Sequence, residues 1–134
     1  MSEQTLVICK PDAVERRLVG EIVSRLERKQ LRIAEMKMMT ISKEMASRHY
    51  GEHEGKPFFD ELVTFITRSP VVVMVVEGTE AVSVVRTLMG TTNPRVSPPG
   101  TIRGDLAIEV GENLVHGSDS PESAAREIGL FFGA

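Results

Sequence analysis

The chain has 134 residues, enough for one compact domain and too few for a second of ordinary size. Hydrophobic residues make up 41% and charged residues 26%, with a formal net charge of -3, so the composition argues against extended disorder and against a basic surface built for nucleic acid. A single cysteine, Cys9, excludes an internal disulfide and a cysteine-based zinc cage; with no basic-then-apolar pattern at the amino terminus, a reducing, cytoplasmic compartment is expected.

Residues 5–10 (TLVICK) form an apolar stretch that ends at Pro11 and reads as a first strand. Val19, Ile22, Val23 and Leu26 then recur at helical spacing. Over residues 31–39 the pattern turns to alternation, with Ala34, Met36 and Met38 on one side and Glu35 and Lys37 on the other. Ser42 is an N-cap for a helix on which Met45, Ala46, His49 and Tyr50 share a side. Pro57 suits the first turn of a further helix, with Phe58, Leu62 and Ile66 in register. The longest apolar run, residues 71–76, is far shorter than the ~18 residues of a membrane span and, being β-branched, predicts a buried strand. Thr79 is placed to cap the next helix, where Ala81, Val84, Val85 and Leu88 repeat the helical period before Gly90 ends it.

Residues 91–105, rich in proline and glycine, predict a long loop of the kind that often carries function. A short strand near residues 113–116 leads to Ser120 and Pro121, an N-cap with proline behind it, and a helix running toward Leu130. No internal repeat or linker interrupts the series. The order fits an α+β, ferredoxin-like βαββαβ sandwich: a four-stranded antiparallel sheet with helices packed on one face.

Neither GxxxxGK followed by Ser or Thr, nor GxGxxG, nor GxSxG occurs, which removes the P-loop, dinucleotide and nucleophile-elbow classes. His49 and His53 lie at i, i+4, but HExxH is absent and no third ligand is evident; polar helix-face residues is the stronger reading and a metal pair the weaker. His116 in NLVHGSDS would by itself be read as structural more readily than catalytic. Its neighbours add weight: Gly117 permits close approach to the backbone, and Ser118 and Asp119 precede a helix amino terminus. Lys10 at a strand end and Arg103 in a glycine-bracketed loop are the cations a polyphosphate site requires.

Taken together, these segments resemble the nucleoside diphosphate kinase family. The signature NxxHGSD is carried by Asn113, His116, Gly117, Ser118 and Asp119, and TLVICKPDAV, LVGEI, HYGEHEGKPFF, PVVVMVVEG, VRTLMG-TTNP, PGTIRGD and ESAAREIGL match in family order. The resemblance implies a single domain over residues 1–134 that transfers the γ-phosphate of a nucleoside triphosphate, mainly ATP, to nucleoside diphosphates by a ping-pong route. It implies that His116 becomes phosphohistidine and that Lys10, Arg86, Thr92 and Arg103 hold the β- and γ-phosphates, with His53 near the α-phosphate. Phe58 and Val110 then flank the base, Leu62 lines its pocket, and Asn113 and Lys10 meet the sugar hydroxyls. Tyr50 sits beside the imidazole, Ser118 and Glu127 orient it, and Mg²⁺ bridges the phosphates with Asp119 as an outer, water-mediated ligand. The resemblance further implies a homo-oligomer, a hexamer ahead of a tetramer, with no membrane and no nucleic acid required.

The chemistry is coherent with that assignment. A neutral imidazole has a lone pair near neutral pH and needs no base to free it, and nearby cations both disfavour the imidazolium and offset charge on a transferring phosphoryl group. A base held by stacking and apolar contact is poorly discriminated, so broad nucleotide use follows. Ala13 and Ser69 stand where the family commonly has glycine, and Arg17 and Arg95 where smaller residues are common. Two rival readings fare worse. An RNA-recognition module needs aromatic residues on its central strands, and VVVMVV has none. A family member without catalysis needs a replaced nucleophile or broken phosphate contacts, and all are present.

Overall fold

The computed structural model describes residues 2–51 and 55–133. In chain order it comprises β1 (Ser2–Cys9), α1 (Pro11–Glu15), α2 (Val19–Arg28), β2 (Arg32–Met39), α3 (Lys43–His49), α4 (Phe59–Thr67), β3 (Val71–Thr79), α5 (Ala81–Met89), a 3₁₀ turn (Pro94–Val96), α6 (Ile102–Leu106), β4 (Val115–Gly117) and α7 (Pro121–Phe132). The strands form one antiparallel sheet in the order β2-β3-β1-β4, the ferredoxin-like arrangement expected from the sequence.

Both faces of the sheet are covered, not one. On β1 and β3, Val7, Cys9, Val72, Met74 and Val76 pack with Ile22 and Leu26 of α2 and Val85 and Met89 of α5. The intervening Leu6, Ile8, Val71 and Val73 pack with Ala46 of α3, Val63 and Ile66 of α4 and Phe131 of α7. This is why β1 and β3 read as unbroken apolar runs: a strand sealed on both sides has no polar face to alternate with. Each such valine, leucine, isoleucine, methionine or phenylalanine, removed fully from water, contributes about 1.5–3 kcal/mol.

Other local expectations shift. On β2 a bulge between Ile33 and Glu35 resets the register, and Met36 and Met38 end 48% and 62% exposed on an edge strand. Helix α4 begins after Pro57, with Phe58 at its N-cap; Ile66 is buried, whereas Phe58 is left 44% exposed and Leu62 half-buried. Thr79 does not cap α5, because it still pairs with Ser2 in the sheet; Glu80 takes the cap position at φ 50°, and the Glu3 carboxylate accepts the Val82 N–H at 2.9 Å. Ser42 and Ser120 cap α3 and α7 as expected, accepting from the N–H groups of Met45 and Ser123. Residues 91–105 are not structureless: they contain the 3₁₀ turn and the start of α6, capped by Thr101, whose Oγ1 accepts from Gly104 N. Neither Ala13 nor Ser69 is among the described residues with positive φ, whereas Arg17 is, at 61°.

Candidate active site

Strand β4 is three residues long, and its register decides what faces what. His116 pairs with Ile8, so both point to the side of the sheet covered by α3 and α7; Val115 pairs with Cys9 and points to the other side. Helix α7 brings Glu127 to His116, and helix α3 brings His49. Where β1 ends, Lys10 turns into α1 beside the entry to β4, its backbone N–H donating to Leu114 O at 2.8 Å.

At the centre is a short relay. His116 Nε2 lies 2.9 Å from Glu127 Oε1, and Ser118 Oγ donates to the same oxygen at 2.7 Å. Ser118 is fully buried and tied into β1, accepting from Leu6 N and donating its own N–H to Leu6 O. Burial pushes the Glu127 carboxyl up, but the His116 and Ser118 hydrogen bonds outweigh it and hold the group below the usual carboxylate range. An ionised carboxylate only accepts, so Nε2 carries a proton, and the neutral form of the ring then has its lone pair on Nδ1. The ring lines a cleft of about 1040 Å³.

Cations converge on the same cleft. Lys10 Nζ donates to Asn113 Oδ1 at 3.0 Å, and Asn113 Nδ2 donates to Thr92 O at 3.2 Å. Arg86, which by default would be a solvated charge on a helix face, donates to Gly117 O at 3.0 Å and lines the cleft. Arg103 is almost fully buried and grips the backbone at Asn113 O, Thr91 O and Val115 O. Burial, reinforced by the Arg103 charge and opposed by Asp12, brings the Lys10 ammonium down to about 8. Burial and the Arg86 charge bring Arg103 down to about 10, still protonated at neutral pH. A cleft that holds cations at this cost, without a carboxylate partner for each among the described residues, is prepared for an anion. Gly117 serves close packing: a Cβ there would sit 2.6 Å from Met89 Sδ.

The remaining candidates fall as follows. Tyr50, Phe58, Leu62, Thr92, Val110 and Asp119 all line the cleft. Phe58 and Val110 are 44% and 46% exposed, apolar surfaces left open at the cleft. Burial, with the Glu127 charge, pushes the Tyr50 phenol up to about 12, so it stays protonated. Asp119 is exposed. His53 lies outside the described residues.

Two residues of consequence were not singled out as site residues from the sequence. His49 is buried and packs edge-on to His116, ring centres 4.9 Å apart at 83°, and also against Tyr50 and Phe131. Burial and the neighbouring His116 bring it down to about 3, so it is neutral. Its adjacency to Tyr50 in the sequence was the available signal. Asp12 is buried beneath Lys10, and its Oδ2 accepts the Leu114 N–H at 3.0 Å.

An imidazole with one nitrogen held by a carboxylate and the other, among the described residues, unpartnered, facing a cleft lined by cations on an α+β sandwich, defines a phosphoryl-transferring enzyme. Comparison with known proteins then specifies which kind. Residues 3–134 match the family model described as nucleoside diphosphate kinase. The chain is 63% identical to the nucleoside diphosphate kinase of Rubrobacter xylanophilus over 131 residues, covering 98% of each chain. It is 62% identical to that of Archaeoglobus fulgidus, covering 97% of this chain and 86% of the relative. Among solved structures, a halophilic nucleoside diphosphate kinase from Halobacterium salinarum in complex with CDP superposes with a TM-score of 0.97 at 51% identity, covering 100% of this chain and 90% of the other. The apo enzyme from Encephalitozoon cuniculi gives 0.96 at 42% identity, covering 98% and 90%. The chain belongs to the nucleoside diphosphate kinase family.

Proposed function

We propose that this family's reaction, reversible transfer of a γ-phosphoryl group from a nucleoside triphosphate to a nucleoside diphosphate, runs here through Nδ1 of His116. The observation that supports this is the bond between His116 Nε2 and Glu127 Oε1: with the carboxylate as acceptor, the neutral ring has its proton on Nε2 and its lone pair on Nδ1, available for attack. In the first half-reaction Nδ1 forms a bond to the γ-phosphorus while the bond from that phosphorus to the β–γ bridging oxygen breaks, and the nucleoside diphosphate leaves. In the second, a β-phosphate oxygen of another diphosphate attacks the phosphohistidine and the N–P bond breaks. As the ring gains positive charge, Glu127 stabilises it, in the manner of a carboxylate behind a catalytic histidine. Lys10, Arg86 and Arg103 offset charge on the equatorial phosphoryl oxygens. Thr92 and Asn113 complete the phosphate and sugar contacts, and Tyr50 and His49 wall the ring.

The base fits between Phe58 and Val110, with Leu62 beneath, a pocket of stacking and apolar contact that supports use of many nucleotides, ATP foremost. Binding of CDP by the Halobacterium salinarum relative agrees with a base site of low selectivity. For the family's divalent metal we propose Mg²⁺. Among the described residues the grouping able to hold an ion directly is His49, His116 and Glu127, a nitrogen-rich set already engaged in the relay and unsuited to magnesium. Exposed Asp119, on the cleft, would hold the metal through water, and the metal would supply charge neutralisation on the phosphates.

The edge strand β2 with exposed Met36 and Met38, and exposed Val96 within and Ile108 just beyond the 91–105 segment, support self-association, with a hexamer favoured. No described helix is long and apolar enough to cross a membrane; with a single buried free cysteine this fits a cytoplasmic enzyme that maintains nucleotide pools without need of nucleic acid. The test is incubation with γ-labelled ATP and Mg²⁺. An acid-labile, alkali-stable adduct that passes to GDP is expected on the wild type and absent from His116→Ala; label persisting in that variant, or none on the wild type, overturns the mechanism.

A further inference from the structure

Leu114, two residues before the nucleophile, holds a backbone conformation that leucine rarely adopts. Its φ is +75°, and the Val115 N–H donates to Asn113 O at 2.9 Å across it. A hydrogen bond from i+2 to i around a residue of that φ is a γ-turn of the strained hand. The leucine side chain is fully buried in the core beside Val115 and Ile102, so neither solvent nor an open loop excuses the geometry. Strain of this kind costs of order 1–3 kcal/mol and persists only where the surroundings over-determine it.

Four groups do so. Arg103 Nε donates to Asn113 O at 3.2 Å and Nη2 to Val115 O at 2.7 Å, fixing the carbonyls on either side. Lys10 N donates to Leu114 O at 2.8 Å. The Leu114 N–H, which points into the core, is accepted by Asp12 Oδ2 at 3.0 Å. Asp12 is 2% exposed, and among the described residues its other oxygen, Oδ1, has no hydrogen-bond partner. A buried carboxylate with one oxygen unpartnered is costly to keep.

The consequence of the turn is directional. Asn113 and His116 are three residues apart, and an uninterrupted strand would send them to opposite faces. With the chain reversed at Leu114, Asn113 meets Lys10 while His116 enters β4 in register with Ile8, and both line the cleft.

We infer that Asp12 is a positioning residue for phosphoryl transfer: its carboxylate locks the Leu114 turn that sets His116 and Asn113 against the same phosphate chain. It touches neither nucleotide nor the reacting atoms and acts through the backbone of Leu114. Asparagine at this position retains a carbonyl oxygen able to accept the Leu114 N–H, whereas alanine leaves that donor buried and unpaired.

This inference rests on His116 being the nucleophile, and the experiment separates the two. Rapid-quench phosphorylation by saturating γ-labelled ATP and Mg²⁺ is measured on wild type, Asp12→Ala, Asp12→Asn and Leu26→Ala. The last removes core volume from the same cluster at a distance from the cleft, as a control for lost stability alone. Asp12→Ala is expected to lower the saturated rate at least tenfold, Asp12→Asn to recover most of it, and Leu26→Ala to lower the melting temperature while leaving the saturated rate within twofold. Saturated rates for Asp12→Ala within twofold of wild type overturn the inference while leaving the nucleophile assignment intact. Absence of label on the wild type overturns the assignment itself. Should Asp12→Ala fail to fold, Asp12→Asn carries the test beside Asp12→Ser, which shortens the side chain: equal rates in those two contradict the positioning role.

Discussion

Removal of the Glu127 carboxylate tests how the imidazole is prepared. In Glu127→Ala both His116 Nε2–H and Ser118 Oγ–H lose their acceptor, at 2.9 and 2.7 Å, in a place where water has little access. A hydrogen bond to a charged group is worth about 1.5–3 kcal/mol, and the His116 bond strengthens as the ring gains positive charge in the transition state. If that one bond is lost only from the transition state, the rate falls by ~10- to ~150-fold. Glu127→Gln keeps a neutral acceptor, so the loss is expected to be smaller, about half of that in free-energy terms. The assay is rapid-quench formation of the phosphoenzyme at saturating ATP, with a melting curve to count only folded protein. A Glu127→Ala rate within a factor of two of wild type refutes the reasoning, because the ring would then be oriented without the carboxylate.

The Lys10 ammonium, brought down to about 8 by burial and by Arg103, is charged below that pH and neutral above it. Nucleotide KM is therefore expected to rise as pH climbs through about 8, and a KM flat to pH 10 contradicts a phosphate-binding charge there. Phe58→Ala removes a stacking face worth about 1–3 kcal/mol, so KM for purine and pyrimidine nucleotides alike is expected to rise by ~5- to ~150-fold, checked by steady-state kinetics on ADP, GDP and CDP. Gly104→Ala puts a Cβ 2.1 Å from Pro98 O, a clash with backbone. The helix turn carrying Arg103 must then move, and a stability loss of about 1–3 kcal/mol with a fall in kcat/KM is expected in denaturant melts and turnover assays.

Much of the architecture was legible because it rests on local rules. Ser42, Thr101 and Ser120 act as caps, and two of the three were predicted from residue type and position. The apolar runs of β1 and β3 form strands as expected, and runs without alternation already imply cover on both faces, between which the helices divide. What sequence pattern could not supply was long-range register. Thr79 failed as a cap because its place in the β1–β3 ladder extends further than the apolar pattern, and Met36 and Met38 proved exposed because a bulge and an edge position override alternation. In the site, local pattern alone would make Arg86 and Glu127 helix-surface charges; the resemblance around His116 named both as site residues, and the fold turns both toward the cleft. Asp12 and His49 were not singled out as site residues. Their roles come from elements far apart in the chain, Asp12 meeting Leu114 and His49 meeting His116, and no short-range pattern marks such a meeting.

Phosphorus and long-range nitrogen NMR of the protein labelled with ¹⁵N in histidine, recorded after phosphorylation by ATP and Mg²⁺, tests the central claim most directly. With Glu127 holding the Nε2 proton, coupling to phosphorus is expected at Nδ1 of His116 and at no other histidine nitrogen. Phosphorus coupled to Nε2 of His116, or to a nitrogen of His49 or His53, would contradict the account.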